Sequence, residues 1–200
     1  MNVLEQVIEN KYAIYNGDSC EIVRAIPDNS IHYTIFSPPF ASLYTYSNSD
    51  RDMGNSKGDD EFYNFIFLAK ELYRVTMPGR LLSFHCMDLP LMKERDGVIG
   101  LKDFPAIIRK IFEDCGFIYH SKVTIWKNPV TEMQRTKALG LLHKQIRKDS
   151  TMNRQGIPDY IVTMRKPGEN PERVSHTHET FPVDVWQNYA SPVWMDIRQS

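Results

Sequence analysis

Cysteine is scarce in this chain. Only Cys20, Cys86 and Cys115 occur among 200 residues, and no two form a Cys-x-x-Cys pair. That excludes a disulfide framework and fits a reducing, cytoplasmic setting. A metal-ligating cluster is missing too: His85 with Cys86, and His176 with His178, have no third ligand at a recognisable spacing, so no metal is expected. Ser83, His85 and Asp88 lack the flanking glycines of a hydrolase nucleophile elbow. No run approaches the roughly 18 apolar residues that span a bilayer, and the N-terminus has no signal-peptide pattern. No repeat or low-complexity tract interrupts the chain.

What is present describes one soluble domain with a sizeable core: 42% hydrophobic, 24% charged and 12% aromatic residues. A net charge of -1 conceals an asymmetry. Residues 127–154 carry seven Lys or Arg (Lys127, Arg135, Lys137, Lys144, Arg147, Lys148, Arg154) against Glu132 and Asp149. Residues 1–60 carry nine acids against four bases, so a polyanion would be steered to the later segment.

Periodicity predicts alternating elements. Tyr12–Tyr15 reads as a strand, and Asp18 with Glu21 is spaced to cap a short helix over Ser19–Ala25. Ile31–Phe36 is an apolar run read as a buried strand. Ala41–Asp60, rich in Ser, Asn, Asp and Gly, reads as a mobile loop. Phe62, Phe65, Ile66, Ala69, Leu72 and Tyr73 recur at helical spacing, as do Ile107, Ile108, Ile111 and Phe112 before Gly116. Strands are predicted over Arg80–Cys86, Phe117–Trp126 and Tyr160–Met164, and a basic helix over Arg135–Asp149. Strands separated by helices imply an α/β fold with a three-layer, mostly parallel sheet.

The most telling residues are Ser37, Pro38, Pro39 and Phe40, which follow the Ile31–Phe36 strand. Ligands of open α/β sheets bind beyond the carboxyl ends of strands. Two prolines remove backbone donors and fix φ, leaving carbonyls to point outward. Ser37 Oγ and the Pro38 carbonyl would accept hydrogens from an exocyclic amino group, while the Phe40 ring stacks on the base that carries it. Such a nitrogen has its lone pair delocalised into the ring and needs those acceptors to become nucleophilic; positioning then supplies most of the catalysis. No cysteine follows a proline, which argues against the Pro-Cys nucleophile of carbon-5 cytosine methylation.

Tyr15-Asn16-Gly17-Asp18, Pro27-Asp28-Asn29-Ser30-Ile31, Ser37-Pro38-Pro39-Phe40, Pro78-Gly79-Arg80, Ile125-Trp126-Lys127-Asn128-Pro129 and Pro158-Asp159-Tyr160-Ile161-Val162 occur in that order. Together they resemble the amino-methylating DNA methyltransferases, in the permuted group whose catalytic motif precedes its cofactor motif. The resemblance implies a Rossmann-like methyltransferase sheet, S-adenosylmethionine as methyl donor, and a flipped base in double-stranded DNA as acceptor. Ser before Pro-Pro, followed by Phe, favours cytosine N4 over adenine N6. It implies catalytic roles for Ser37, Pro38, Pro39 and Phe40. Asp18 would approach the donor's adenosine edge, with helix capping as its plain alternative. Trp126 would wall the base pocket, and Arg135, Lys137, Lys144, Arg147 and Lys148 would contact phosphates.

The family's Phe-x-Gly-x-Gly donor turn has no counterpart here, since none of the ten glycines stands two positions from another. The expectation is a catalytic core over residues 1–129, a basic DNA-recognition insert over 130–157, and a last strand and linker over 158–200. A further segment or a second chain would complete the donor site. Two other readings stay open: a non-catalytic DNA-binding remnant, and amino-group methylation of RNA or of a protein glutamine, where Asn before Pro-Pro is usual.

Overall fold

The computed structural model describes residues 3–40, 52–56, 62–136 and 138–197. Lys137 and most of the Ala41–Asp60 segment therefore lie outside the described residues; Met53–Asn55 within that segment form a 3-10 turn capped by Asp52. A five-stranded sheet runs in the order β3-β4-β8-β7-β9, from Ile31–Phe36 (β3), Thr76–Met87 (β4), Ile118–Ile125 (β7), Asp159–Arg165 (β8) and Val193–Trp194 (β9). The chain divides into two compact units: residues 1–84, 106–121 and 162–174, and residues 85–105, 122–161 and 175–200.

In the first unit, Val3–Ile8 (β1) and Ala13–Gly17 (β2) form an antiparallel hairpin with Gln6 opposite Tyr15. Most of its apolar side chains face outward, and Leu4 is 82% exposed. The carboxylate of Asp18 then accepts hydrogen bonds from the Cys20 N–H at 2.8 Å and the Glu21 N–H at 3.3 Å, opening Ser19–Arg24 (α1). This satisfies two of the donors that a helix start leaves without partners.

Helix α1 lies against Ile66–Val75 (α2), and Arg74 fastens the two. Its guanidinium donates to the carbonyls of Val23 (3.0 Å) and Ile26 (2.9 Å) and to the carboxylates of Asp28 (2.5 Å) and Glu71 (2.8 Å). Asn29, with φ of 54°, and Ser30 donate backbone hydrogen bonds to Arg74 and Val75, which aims the chain into β3. Strand β3 pairs parallel with β4, Phe36 opposite Phe84. It is not the buried strand that its apolar run suggests. Among the described residues β3 is an edge of the sheet, and Tyr33 and Ile35 are more than half exposed.

The core of this unit is aromatic. Phe36 stands 6.0 Å from Phe65, 6.3 Å from Phe84 and 6.2 Å from Phe112 between ring centroids. Each fully buried ring contributes about 1.5 to 3 kcal/mol by leaving water. Helix spacing places Leu68, Ala69, Leu72 and Val75 on one buried face of α2, with the buried Phe65 at its N-cap. Ile108, Ile111 and Phe112 do the same on Phe104–Asp114 (α4). Strand β4 begins at Thr76, ahead of the predicted Arg80, so Pro78-Gly79 lies within it, where Gly79 adopts φ of +73°. A Cβ there would meet the Asn170 backbone nitrogen at 2.7 Å, so only glycine fits.

In the second unit, Leu89–Leu91 (β5) and Gly100–Lys102 (β6) pair antiparallel around Lys93–Asp96 (α3), a hairpin with no clear sequence signal. The predicted basic helix over Arg135–Asp149 is broken into Pro129–Thr136 (α5), a 3-10 turn at Leu139–Leu141, His143–Ile146 (α6) and a second 3-10 turn at Ser150–Met152. The physical reason is closure of the segment on itself. The Arg154 N–H donates to the Gly140 carbonyl at 3.0 Å, and a Cβ at Gly140 would press on Arg154 and Met152. Val183–Ala190 (α7) leads to β9, which pairs parallel with β7, Ile125 opposite Trp194.

Candidate functional site

The Ser37–Phe40 turn begins where β3 ends, and Phe36 fixes that end by wedging between the rings of Phe65, Phe84 and Phe112. The turn is not sealed in the interior. Ser37 is exposed, Pro39 and Phe40 are half-buried, and Pro38 is buried. A buried proline between an exposed serine and a half-buried phenylalanine gives a stiff turn at the surface of its unit. Asp18, in the same unit, is half-buried, and its carboxylate is engaged as the cap of α1.

The remaining candidates belong to the second unit. Trp126 follows the last residue of β7; its backbone N–H donates to the Trp194 carbonyl at 2.9 Å, and it is 43% exposed. Arg135 on α5 is tied to the buried Glu132 at 3.0 Å. Lys144, Arg147 and Lys148 are exposed along and just beyond α6, which gathers three cations on one short stretch. Lys137 lies outside the described residues.

A group of side chains that sequence reasoning passed over lies in this unit. One Asp159 oxygen meets Lys127 Nζ at 2.6 Å, and the other meets His85 Nε2 at 3.2 Å. The side chains of Lys127 and Asp159 are only 6% and 8% exposed. Burial pushes the Asp159 carboxyl up, but hydrogen bonds from His85 and Lys127 outweigh it and hold the group below the ordinary carboxylate range. Lys127 Nζ also lies 4.0 Å from Met87 Sδ. Neighbouring Cys86 is buried, and that burial, followed by the charges of Asp88 and Asp159, pushes its thiol far above its usual range.

A cavity of about 170 Å³ is lined by Asp88, Leu101, Asp103, Pro105, Lys122 and Tyr160. Lys122 Nζ lies 4.6 Å from the centre of the Tyr160 ring. Burial, then the charge of Asp103, raises the Asp88 carboxyl, with Lys122 and Tyr160 opposing. Among the described residues, no group of three or more His, Cys, Asp or Glu side chains is arranged to hold a metal ion. No helix among them is long and apolar enough to cross a membrane.

The arrangement of strands and helices is the α/β, Rossmann-like fold of methyltransferases. The solved structures it resembles include TTHA0409 of Thermus thermophilus, a proposed DNA modification methylase. In its S-adenosyl-L-methionine complex, that protein matches 92% of this chain and 66% of its own, with 20% identity and a TM-score of 0.65. The PvuII DNA methyltransferase, specific for cytosine N4, matches 92% of this chain and 56% of its own, with 17% identity and a TM-score of 0.57. In sequence, 64 residues are 30% identical to the type II methyltransferase M.SfiI of Streptomyces fimbriatus, covering 32% of this chain and 15% of that enzyme. The chain thus spans about two thirds or less of the length of these relatives. No protein-family model matches it.

Proposed function

We propose that this chain is a DNA amino-methyltransferase, or the catalytic portion of one, which transfers a methyl group from S-adenosylmethionine to the exocyclic amino group of a flipped base. The single observation that carries this reading is an exposed Ser37 heading a proline-stiffened turn at the carboxyl end of a parallel strand, within a methyltransferase fold. Ser37 Oγ and the Pro38 carbonyl hold the amino hydrogens, Pro39 fixes the turn and Phe40 stacks on the base. Unstacking a base costs a few kcal/mol, which stacking on an aromatic ring offsets. S-adenosylmethionine would supply an electrophilic methyl group and leave as the neutral thioether, and the extra proton on the methylated nitrogen would pass to water while Ser37 Oγ and the Pro38 carbonyl hold the amino group.

Ser at the head of the turn and Phe at its tail favour cytosine N4 over adenine N6. Trp126, in the second unit, contacts a base of the duplex, and Arg135, Lys137, Lys144, Arg147 and Lys148 meet its phosphates from the segment 130–157. Asp18 approaches the donor's adenosine while capping α1. Because the chain lacks a Gly-x-Gly turn, a second chain or a further segment supplies part of the donor site, and the isolated polypeptide binds the donor weakly. That same absence favours the second reading, a DNA-binding remnant that transfers nothing. The working compartment is the cytoplasm.

Incubation with S-adenosylmethionine labelled in its methyl group and mixed-sequence plasmid separates the two readings. Label in 4-methylcytosine after nucleoside digestion supports the first, and label in 6-methyladenine corrects the base. Duplex retention with no label in any nucleoside supports the remnant. Tight, stoichiometric donor binding measured by calorimetry on the chain alone removes the need for a completing segment.

A further inference from the structure

Three distant points of the sequence meet at one carboxylate: Lys127 two residues beyond the end of β7, Asp159 at the start of β8 and His85 near the end of β4. Lys127 and Asp159 stand just outside the two ends of the basic segment 130–157, so their 2.6 Å contact closes that segment at its base. The closure reaches the helix that follows. Asn128, next to Lys127, accepts hydrogen bonds from the Val130 N–H at 2.9 Å and the Thr131 N–H at 3.3 Å, capping α5. At the other end, Ile157 is 6% exposed and anchors the return to Asp159. Inside the segment, the Arg154-to-Gly140 backbone bond holds the α6 loop shut.

Stability alone gives a weak account of such a pair. A buried ion pair exchanged for apolar side chains of similar volume is often neutral or stabilising, whereas removing one partner is costly. What two oxygens held by two cationic or N–H donors do supply is direction: the carboxylate can be satisfied in only one orientation of the chains that carry its partners.

We propose that Asp159 is a positioning residue, a clasp that sets the orientation of segment 130–157 for duplex DNA, with Lys127 and His85 as the groups it ties together. This rests on the reading of that segment as the nucleic-acid contact. Lys144, Arg147 and Lys148 reach phosphates in register only while the base of the segment is closed, because long flexible side chains on a swinging loop neutralise fewer charges at once.

The test uses the full chain with Asp159→Asn, Asp159→Glu and the paired apolar variant Lys127→Met with Asp159→Leu. Two readouts are taken: amide hydrogen exchange by peptide, and filter retention of mixed-sequence duplex DNA between about 50 and 200 mM salt. Asp159→Asn is expected to speed exchange in residues 130–157 at least tenfold, leave residues 66–75 unchanged, and weaken duplex retention about tenfold with a shallower salt slope. Asp159→Glu restores part of both. The paired variant restores thermal stability but not duplex retention. Recovery of both by the paired variant would show that the cluster only stabilises and would overturn the proposal, as would equal acceleration of exchange in residues 66–75. If the unaltered chain retains no duplex at any salt, the nucleic-acid reading of the segment falls, while the exchange pattern still decides whether Asp159 is its clasp.

Discussion

Lys166 Nζ donates a 2.7 Å hydrogen bond to the Tyr73 carbonyl while lying 4.6 Å from the centre of the same residue's ring. It also donates to the Thr76 carbonyl and to Asn29 Oδ1, each at 2.8 Å. One buried ammonium thus closes the C-terminal end of α2 and holds the bend that leads into β3. Lys166→Met keeps the apolar stem but strands these acceptors. It is expected to destabilise the chain by about 2 to 4 kcal/mol, read as a lower urea midpoint with an unchanged slope.

Asp18 separates capping from any part in donor binding. Asp18→Asn keeps an acceptor for the Cys20 and Glu21 N–H groups, so its melting temperature should stay close to that of the parent. Asp18→Ala should lose about 1 kcal/mol. If Asp18 also meets the donor, both variants weaken donor binding by calorimetry, although only the second loses stability.

The Ser37–Phe40 turn should separate transfer from DNA retention. Phe40→Ala is expected to abolish labelling of plasmid while leaving salt-dependent duplex retention in place, since the cations proposed to meet phosphates stand in 130–157. Ser37→Ala is expected to slow transfer on the order of a hundredfold, the scale of losing one aligned hydrogen-bonding group in an active site. Equal loss of retention in either variant would count against this division of labour.

The acid side of the stability curve reports on Asp159. Its carboxyl is held below the ordinary range, so the unfolded chain binds the proton more readily than the folded one. The stability it contributes is present above the unfolded carboxylate value, about 4, and is lost as pH falls through the lower folded value. Urea midpoints measured from about pH 6 downward should fall for the parent chain, and part of that slope should be missing in Asp159→Asn.

Much of the fold was legible because apolar spacing survives into the structure. The buried faces of α2 and α4, the Asp18 cap and the bounds of β3 all follow from residues close together in sequence. The exposure of β3 does not, because a strand's place in its sheet is set by pairings with distant residues. Strand β1 escaped notice because its hairpin is largely exposed and shows no alternation of buried and open side chains. The basic helix over Arg135–Asp149 was misread because charge fixes no axis, whereas the Gly140 approach to Arg154 bends the segment. The position of the Ser37–Phe40 turn just past β3 could be read directly, since the apolar run and the two prolines are adjacent in sequence. The cluster of His85, Lys127 and Asp159 could not, because three residues from three strand ends share no spacing. Its one available signal was a charged residue at the margin of an apolar run.

The Phe36 wedge couples two properties that are often treated as separate. Phe112→Ala would open a void costing about 3 to 5 kcal/mol beside Phe36, the ring that leads into the Ser-Pro-Pro-Phe bend. The packing of that core and the shape of the bend are therefore coupled, and a substitution among these rings, even one far from solvent, reaches the bend through Phe36.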